Sequence, residues 1–329
     1  MKKIILILLA LFFITGCSTR QYFEPKKNEL QKPILLKKTI SSPIIYFTDK
    51  VATLKDGTVL PTNEKLPKGF IAIDQNLSKK GNILRINNKN ITFKKLIVTA
   101  SKKNNLVAIL FNDNYFELYD LNQNKAIFSN QFGATLALRK FVAQPYFYKD
   151  LLLIPSLDGI MAVFDLKANK IIRSVVVSQK DYFNNIIYLN VKNDNLIVAS
   201  RDKILVVSPG MVFEKSYNIK HILVDDGIYV FTIEGNIIKL NFALKKLKEK
   251  EFKFANIIEP MFYKNKIYFL SRGGKSLLFS IDKDLNKYTI TPLTIVQNDQ
   301  CWNNFINLHT NVFGYNGTYY IGDYILKLK

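Results

Sequence analysis

The feature of this sequence that most constrains its fold is a unit that recurs about every 39 residues. Each copy contains an apolar strand, a tight polar turn, a second strand, and then Asp or Asn before a turn that carries lysine. Residues 231–241 and 319–329 match position for position in residue character, and residues 157–166 form another clear copy. The turns of the eight copies are anchored by Asp49, Gly81, Asn114, Gly159, Asp202, Gly235, Ser276 and Asp323.

These repeats predict an all-β protein. Short runs rich in Ile, Val, Phe, Tyr and Leu alternate with clusters of Asn, Asp, Gly and Lys, whereas helical periodicity is almost absent. The spacing is typical of the four-stranded blades of a β-propeller. Such blades bury both faces, so successive residues in a strand can be apolar, as in Ile237-Ile238. We therefore predict a β-propeller of eight four-stranded blades, with seven as the alternative.

The sequence also predicts how the ring closes. The last copy of the repeat supplies only three strands before Lys329. Residues 33–40 contain the strand-like run Ile34-Leu35-Leu36 ahead of the first repeat. We expect this N-terminal strand to complete the last blade, which would leave no open sheet edge at the join. The predicted propeller domain therefore comprises residues 33–329.

The N-terminus has the pattern of a signal peptide. Met1-Lys2-Lys3 is followed by an apolar run over residues 4–14 and by Thr15-Gly16-Cys17. The run is shorter than the roughly 20 residues that span a bilayer as a helix. Residues 14–17 resemble the bacterial lipobox, which implies removal of residues 1–16 and lipid attachment to Cys17. Residues 17–32 are polar and are predicted to be a lipid-anchored flexible tether.

The lipobox resemblance implies a location as well. The residue after Cys17 is Ser18, and a residue other than Asp at this position favours the outer membrane in similar lipoproteins. We expect the propeller to be lipid-anchored there and to face the periplasm, with the cell exterior as the open alternative. The other cysteine, Cys301, then has no disulfide partner, and we expect it to be buried beside Trp302 as a small apolar residue.

The sequence offers little for catalysis. His221 and His309 are the only histidines, lie far apart, and are expected in turns or on blade surfaces. No cluster of potential ligands has metal-binding spacing, so we predict no metal and no cofactor. Arg272-Gly273-Gly274-Lys275 is interpreted as a turn, and Asp225-Asp226-Gly227 as a hairpin turn rather than a cation site. The protein is therefore predicted not to be an enzyme.

The strong positive charge leaves a different question open. The formal net charge is +21, of which the leader lysines Lys2 and Lys3 supply two. Such a charge would attract lipopolysaccharide phosphates, anionic lipid or an acidic protein surface. Lysine is nevertheless frequent throughout the chain, so the charge is also explained by composition alone. Nucleic acid is not an expected partner for a protein outside the cytoplasmic membrane.

One repeat points to a known family of propellers. The pattern consists of Asp158-Gly159, Ala162, Asp165 and Lys170. It resembles the repeats of quinoprotein-type (PQQ-like) propellers, whose enzymes use a tryptophan-rich docking pattern that this chain, with Trp302 alone, lacks. A lipoprotein made of one such propeller resembles the BamB family of barrel-assembly scaffolds. That resemblance implies a non-catalytic scaffold, monomeric within a larger complex, that binds protein partners. Binding of envelope or host polyanions, and a degenerate quinoprotein-like enzyme, remain the alternatives.

Overall fold

The structure is a computed structural model that describes residues 21–40, 42–135, 142–180, 184–297, 300–307 and 309–329. Within these residues the strands form eight sheets, and the only helix is a short 3-10 turn, η1 (Lys27–Glu29). The sheets follow one another along the chain as the blades of a β-propeller. This confirms the predicted all-β class and the count of eight blades.

Each blade is a meander of antiparallel strands. The strands up to blade four are β1 (Ile34–Leu36), which precedes blade one; β2 (Ile44–Phe47), β3 (Ala52–Leu54) and β4 (Val59–Leu60) in blade one; β5 (Ile71–Asp74), β6 (Leu77–Lys80), β7 (Ile83–Ile86) and β8 (Lys89–Thr92) in blade two; β9 (Ile97–Lys103), β10 (Leu106–Phe111), β11 (Tyr115–Asp120) and β12 (Lys125–Gln131) in blade three; and β13 (Tyr146–Tyr148), β14 (Leu151–Pro155), β15 (Ile160–Asp165) and β16 (Lys170–Val176) in blade four.

The second half of the ring follows the same plan. Its strands are β17 (Tyr188–Lys192), β18 (Asn195–Ala199), β19 (Lys203–Ser208) and β20 (Met211–Ser216) in blade five; β21 (Ile219–Val224), β22 (Ile228–Thr232), β23 (Asn236–Leu240) and β24 (Lys246–Glu251) in blade six; β25 (Ile257–Tyr263), β26 (Lys266–Ser271), β27 (Leu277–Asp282), β28 (Tyr288–Gln297) and the added strand β29 (Gln300–Trp302) in blade seven; and β30 (Val312–Tyr315), β31 (Thr318–Ile321) and β32 (Tyr324–Lys327) in blade eight.

The first strand of each blade is the innermost. First strands of neighbouring blades contact one another, as β5 contacts β9 and β21 contacts β25, and together they surround the central channel of the ring. We call the end that carries the turns between second and third strands, and the loops between blades, the upper face. The lower face carries the turns between first and second strands and between third and fourth strands.

The hydrophobic core lies between the blades rather than at one centre. Each buried cluster joins strands of neighbouring blades, as Phe116 of blade three packs with Leu152 and Phe164 of blade four. Phe128 also packs on Phe164, with ring centroids 4.5 Å apart. Because neighbouring blades cover both faces of the inner strands, strands such as β22 are buried along their whole length. This explains the continuous apolar runs in the sequence.

Turn chemistry sets the strand boundaries. Several turns between first and second strands place two successive residues at positive φ, as in Asn193-Asp194 and Lys264-Asn265, the geometry of a two-residue hairpin. Seven of the eight predicted anchors lie in or beside the turns between second and third strands. Asp49 is the exception, because it lies between β2 and β3. The equivalent turn of blade one is Asp56-Gly57, which the short strands β3 and β4 obscure in the sequence.

Ring closure differs from the prediction in one respect. Strand β1 pairs in parallel with β28 of blade seven, with Ile34 opposite Leu293. Residues 33–40 do reach blade eight, but only through a bridge from Lys38 to Tyr324 and the adjacent backbone hydrogen bonds. The reason is that β28, at ten residues, offers a long free edge beside an apolar cluster that takes up Leu36.

Direct packing between the last and first blades completes the ring. Phe313 of β30 is fully buried against Ile44 and Leu54 of blade one. The Asn311 side-chain amide donates a hydrogen bond to the carbonyl of Ile44 at 2.6 Å. Blade eight has three strands among the described residues, and the single bridge from Lys38 takes the place of its fourth strand.

Much of the predicted tether packs on the propeller. We call residues 21–40 the N-terminal segment. Phe23 contacts Phe252 and Phe279, with ring centroids 5.9 and 5.4 Å away. The backbone N–H of Gln31 donates to Ile290 at 2.8 Å. Residues 1–20, with the predicted signal peptide and Cys17, lie outside the described residues. In the part of the chain that is described, no helix is long and apolar enough to cross a membrane.

Candidate functional site

Two sequence predictions about single residues are wrong. His221 is neither in a turn nor on a blade surface, because it lies on β21, the innermost strand of blade six. Cys301 and Trp302 are not buried: they form the short added strand β29, and Trp302 is 45% exposed. This strand pairs with the end of β28, and all three of its residues are exposed. His309 lies in an exposed turn, as predicted.

The repeated acidic turn residues hold the blades together. Asp158 accepts a hydrogen bond from the backbone N–H of Gly133 at 2.8 Å. Asp202 accepts one from the Ser178 hydroxyl at 2.9 Å. In both cases the carboxylate ties the upper turn of a blade to the loop that enters the same blade. These residues of the repeat are therefore structural.

The lower face is joined by ion pairs between blades. Asp225 pairs with Lys283 of blade seven and with Lys192 of blade five, the latter at 3.5 Å. The buried Lys239 contacts Asp226 at 2.8 Å and Asp284 at 3.3 Å. The predicted turn at residues 225–227 is therefore present, and lysines neutralise its two aspartates. Among the described residues, no group of three or more His, Cys, Asp or Glu could hold a metal ion.

A buried carboxyl group lies in the wall of the central channel. Glu259, on the innermost strand β25, has a positive φ of 48°, and the register shifts between Ile258 and Met261. Its Oε1 accepts a hydrogen bond from Gly314 N at 3.2 Å, and its carbonyl accepts one from the Tyr319 hydroxyl at 3.0 Å. Burial raises the pKa of Glu259 to about 8, so this carboxyl is mainly protonated at neutral pH.

Basic groups of blade six lie at the upper end of the same channel. Lys220 and His221 are on β21, and the Lys220 ammonium donates a hydrogen bond to the side-chain oxygen of Asn256. Burial, together with the charges of Arg272 and Arg201, lowers the pKa of Lys220 to about 8. Burial, together with the charges of Lys220, Arg201 and Arg272, lowers the pKa of His221 to about 3. His221 is therefore neutral, and Lys220 is mostly charged, at neutral pH.

Two arginines complete this group. Arg201 and Arg272 lie in the upper turns of blades five and seven. The Arg201 carbonyl accepts a hydrogen bond from Ile219 N at the start of β21 in blade six, and Arg272 N donates one to the carbonyl of Asn256, which directly precedes β25 of its own blade. The Arg272 guanidinium donates through Nη2 to the Thr310 carbonyl at 2.8 Å. Its Nε is buried and has no hydrogen-bond partner in the described structure. We call Arg201, Lys220, His221, Glu259 and Arg272 the channel cluster.

The sequence contains one signal that could have revealed part of this cluster. The pair Ser-Arg follows the second strand at Ser200-Arg201 and recurs at Ser271-Arg272. A repeated arginine at the inner end of two blades indicates a shared position in the ring. We interpreted the second copy only as a turn, which the structure confirms, because nothing in the sequence places it near Lys220.

The outer rim carries exposed apolar side chains. They lie on the outermost strands of blades four, five and six, where Met211 is 59% and Leu247 is 52% exposed. We call this set the rim residues: Ile172, Val176, Met211, Val212 and Leu247. Exposed apolar residues of this size are typical of interaction surfaces when they are grouped.

Comparison with known proteins gives a sequence relationship and a fold relationship. No family model matches the chain. Plasminogen-binding protein PgbB from two strains of Helicobacter pylori is 27% and 26% identical over 347 aligned positions. The alignments include 87% of this chain and 63% of each relative. The chain therefore spans less than two thirds of the length of these curated relatives.

The solved structures agree on architecture. BamB from Moraxella catarrhalis has a TM-score of 0.60 and 14% identity, with 92% of this chain and 96% of that chain covered. The C-terminal WD40 domain of Sif2 also has a TM-score of 0.60, with 11% identity, and covers 90% of this chain and 99% of that domain. The chain is thus similar in sequence to plasminogen-binding proteins, and in fold to propellers that include BamB.

Proposed function

We propose that this protein is a non-catalytic, lipid-anchored propeller that binds a protein partner, with plasminogen as the first candidate. The observation that carries the proposal is the sequence similarity to PgbB over 87% of the chain. Because the alignment extends over most of the propeller, a shared binding activity would reside in the ring. A rigid ring that presents variable turns is well suited to binding proteins.

The rim residues are our candidate for the binding surface. Met211 and Leu247 are more than half exposed on the outer strands of neighbouring blades. Basic residues lie on the same strands, including Lys215 and Lys248. Apolar side chains surrounded by charged ones are typical of protein interfaces, because burial of the apolar groups supplies affinity and the charges supply orientation.

The N-terminal segment would determine the orientation on a membrane. The Tyr22 ring lies against Gly273 and Gly274 on the upper face of blade seven. Cys17 is five residues earlier in the sequence, a reach of about 18 Å in extended chain. A lipid on Cys17 would therefore hold the upper face close to the bilayer and leave the rim accessible. To bind an extracellular protein such as plasminogen, the lipid-anchored ring must lie on the outer surface of the cell.

Binding of the purified protein to immobilised plasminogen tests the proposal directly. We expect Met211→Asp/Leu247→Asp to reduce affinity by about tenfold or more, because a charge at the centre of an apolar contact is costly to bury. Leu96→Asp is the matched control, since Leu96 is also 54% exposed but lies far from the rim, between blades two and three. The proposal is contradicted if the wild type does not bind plasminogen. The assignment of the rim residues is contradicted if the double variant and Leu96→Asp lose the same affinity.

A second candidate is a periplasmic scaffold for outer-membrane β-barrel assembly. It is supported by the lipobox resemblance of residues 14–17 and by the closed propeller. The likeness to BamB at 14% identity concerns the fold alone. Crosslinking in cells, followed by purification from solubilised envelopes, would distinguish the candidates. Recovery of the barrel-assembly protein favours the scaffold, whereas salt-labile binding of lipopolysaccharide alone favours the polyanion alternative.

A further inference from the structure

Two strands from outside the blade repeat extend the sheet of blade seven. Strand β1 pairs in parallel with residues 293–295 of β28, and β29 pairs in antiparallel fashion with residues 295–297. Both pairings lie at the upper end of β28, because this strand begins after the lower turn that follows β27. Among the described residues, the sheets of the other blades have three or four strands. Blade seven is therefore larger than its neighbours at its outer, upper corner.

This extension exposes apolar side chains. Leu35 of β1 is 54% exposed and Val296 of β28 is 49% exposed. Leu35 lies opposite Thr294, and Cys301 lies opposite Val296. Since side chains alternate along a strand and residues 294 and 296 are two positions apart, Leu35, Val296 and Cys301 lie on the same face of the sheet. They form an apolar stripe that reaches solvent.

Two aromatic side chains lie beside this stripe, at the upper turn of blade seven. Trp302 follows Cys301 on β29, so it lies on the opposite face of the strand, and it is 45% exposed. The next residue, Asn303, accepts a hydrogen bond through its carbonyl from Ser276 N at 2.5 Å. The ring of Tyr22, 39% exposed, packs on the two glycines of the same turn, at residues 273–274. We call Tyr22, Leu35, Val296, Cys301 and Trp302 the blade-seven corner.

Exposed lysines border the blade-seven corner. Lys37 directly follows β1, and Lys275 lies in the turn between the Tyr22 contact and Ser276. Tryptophan and tyrosine combine an apolar ring with a polar group and are enriched where a bilayer meets water. Lysine ammonium groups are attracted to the phosphates of anionic lipids. The composition of the corner therefore matches the headgroup region of a membrane.

We propose that the blade-seven corner lies in the interface of a lipid bilayer and determines the orientation of the propeller there. The inference rests on the lipid anchor in the proposed function, because Cys17 is only five residues before Tyr22, about 18 Å of extended chain. A lipid on Cys17 would bring this corner, before any other part of the ring, to the membrane. A fluid bilayer can also surround apolar side chains on both faces of a strand pair, whereas a rigid protein partner covers one face.

The corner would orient the protein rather than anchor it. Acyl chains bury far more apolar surface than a few half-exposed side chains do. We therefore expect the corner to act when a lipid, or a large excess of vesicles, brings the protein to a bilayer, and not to hold an unlipidated chain on membranes during cell fractionation. In a ring of eight, blade three is opposite blade seven and would stand furthest from the bilayer.

The fluorescence of Trp302 tests this contact without a label, because it is the only tryptophan in the sequence. The protein is purified from membranes and mixed with an excess of vesicles made of phosphatidylglycerol and brominated phosphatidylcholine. We expect the Trp302 emission to move to shorter wavelength and to lose intensity relative to vesicles without bromine, because the indole leaves water and meets the bromine atoms. Mass spectrometry of the same sample shows whether Cys17 carries a lipid, so failure of the anchor and failure of the corner are distinguishable.

Val296→Asp keeps the tryptophan and places a charge in the corner, so the wavelength shift and the quenching by bromine should both be lost. Leu96→Asp is the matched control, since Leu96 is 54% exposed but directly precedes the first strand of blade three. Its emission should respond as that of the wild type does. Leu35→Asp replaces the first variant if Val296→Asp does not fold.

Two results would overturn the membrane contact. One is a Trp302 emission that excess vesicles leave unchanged in the wild type, whether or not Cys17 is lipidated, which would leave a protein partner as the occupant of the corner. The other is equal quenching of Val296→Asp and Leu96→Asp, which would show that Trp302 meets lipid without any contribution from the apolar stripe.

Discussion

Glu259 combines an unusual backbone conformation with an unusual ionisation state. A non-glycine residue at a φ of 48° is disfavoured, and the residue is held there by hydrogen bonds to its side chain and its carbonyl from blade eight. The same burial that fixes the backbone disfavours the carboxylate. Conformation and protonation at this position are therefore linked through the contact between blades seven and eight.

This linkage predicts a pH dependence of stability. The pKa of Glu259 is about 8 in the folded protein, above its ordinary value of 4.5. The protonated side chain therefore stabilises the fold at low pH, and this contribution is lost as the pH rises through 8. In urea unfolding, we expect the free energy of unfolding of the wild type to fall relative to that of Glu259→Gln as the pH rises from 5 to 9. Parallel pH profiles for the two proteins would contradict the assignment.

A glycine of the repeat supports a second prediction at this scale. Gly159 has a φ of 86°, and a Cβ atom there would collide with the Ser178 backbone carbonyl. We expect Gly159→Ala to destabilise the protein by about 2 to 4 kcal/mol, from backbone strain plus the clash. Gly210→Ala is the control, because Gly210 has a φ of 80° with open space around it. Its cost should be about 1 kcal/mol, and equal losses in thermal unfolding would exclude the clash as the cause.

The limits of sequence reasoning are clearest for single residues. Gly159 and Asp158 are recognisable because seven of the eight predicted anchors mark the turn between the second and third strands of a blade. Lys220 and Arg272 are separated by about fifty positions, and only the curvature of the ring brings blades six and seven together at the channel. No local pattern carries that information. His221 was misplaced for the same reason, and Cys301 because an added strand outside the repeat follows no periodicity.

At the scale of elements, the N-terminal segment does not follow the blade repeat, yet it packs on the propeller. Phe23 packs on the adjoining rings of Phe252 and Phe279, and β1 continues the sheet of blade seven. The sequence predicted a strand over residues 33–40 but not its partner. The three-residue apolar strand β1 could pair with the free edge of blade seven or of blade eight. It pairs with blade seven because β28, at ten residues, offers the longer edge.

Removal of the Phe23 ring should loosen this segment. We expect Phe23→Ala to lower stability by about 2 kcal/mol, less than a fully buried ring would cost because Phe23 is only partly buried. Limited proteolysis should then cut within residues 21–33 more rapidly. Leu35→Ala is the matched control, since Leu35 lies in the same segment but is 54% exposed. Equal protease sensitivity of the two variants would contradict the role of Phe23.

At the scale of the whole molecule, attachment and folding should be separable. We expect Cys17→Ala to abolish membrane association while the melting temperature stays unchanged, because among the described residues the first side chain that packs on the propeller is that of Tyr22, five positions after Cys17. Cell fractionation and thermal unfolding of the purified variant measure the two properties. If the variant still sediments with membranes as the wild type does, lipid attachment at Cys17 is wrong.

The pairing of Ile34 with Leu293 has a consequence for biosynthesis. A ribosome makes the N-terminal segment first and its partner strand only after six blades and most of a seventh. Until then the segment has no edge to join, and a contact so distant along the chain forms slowly. The nascent protein should therefore stay open until blade seven has been made, and should acquire its final resistance to unfolding only after Leu293 has emerged.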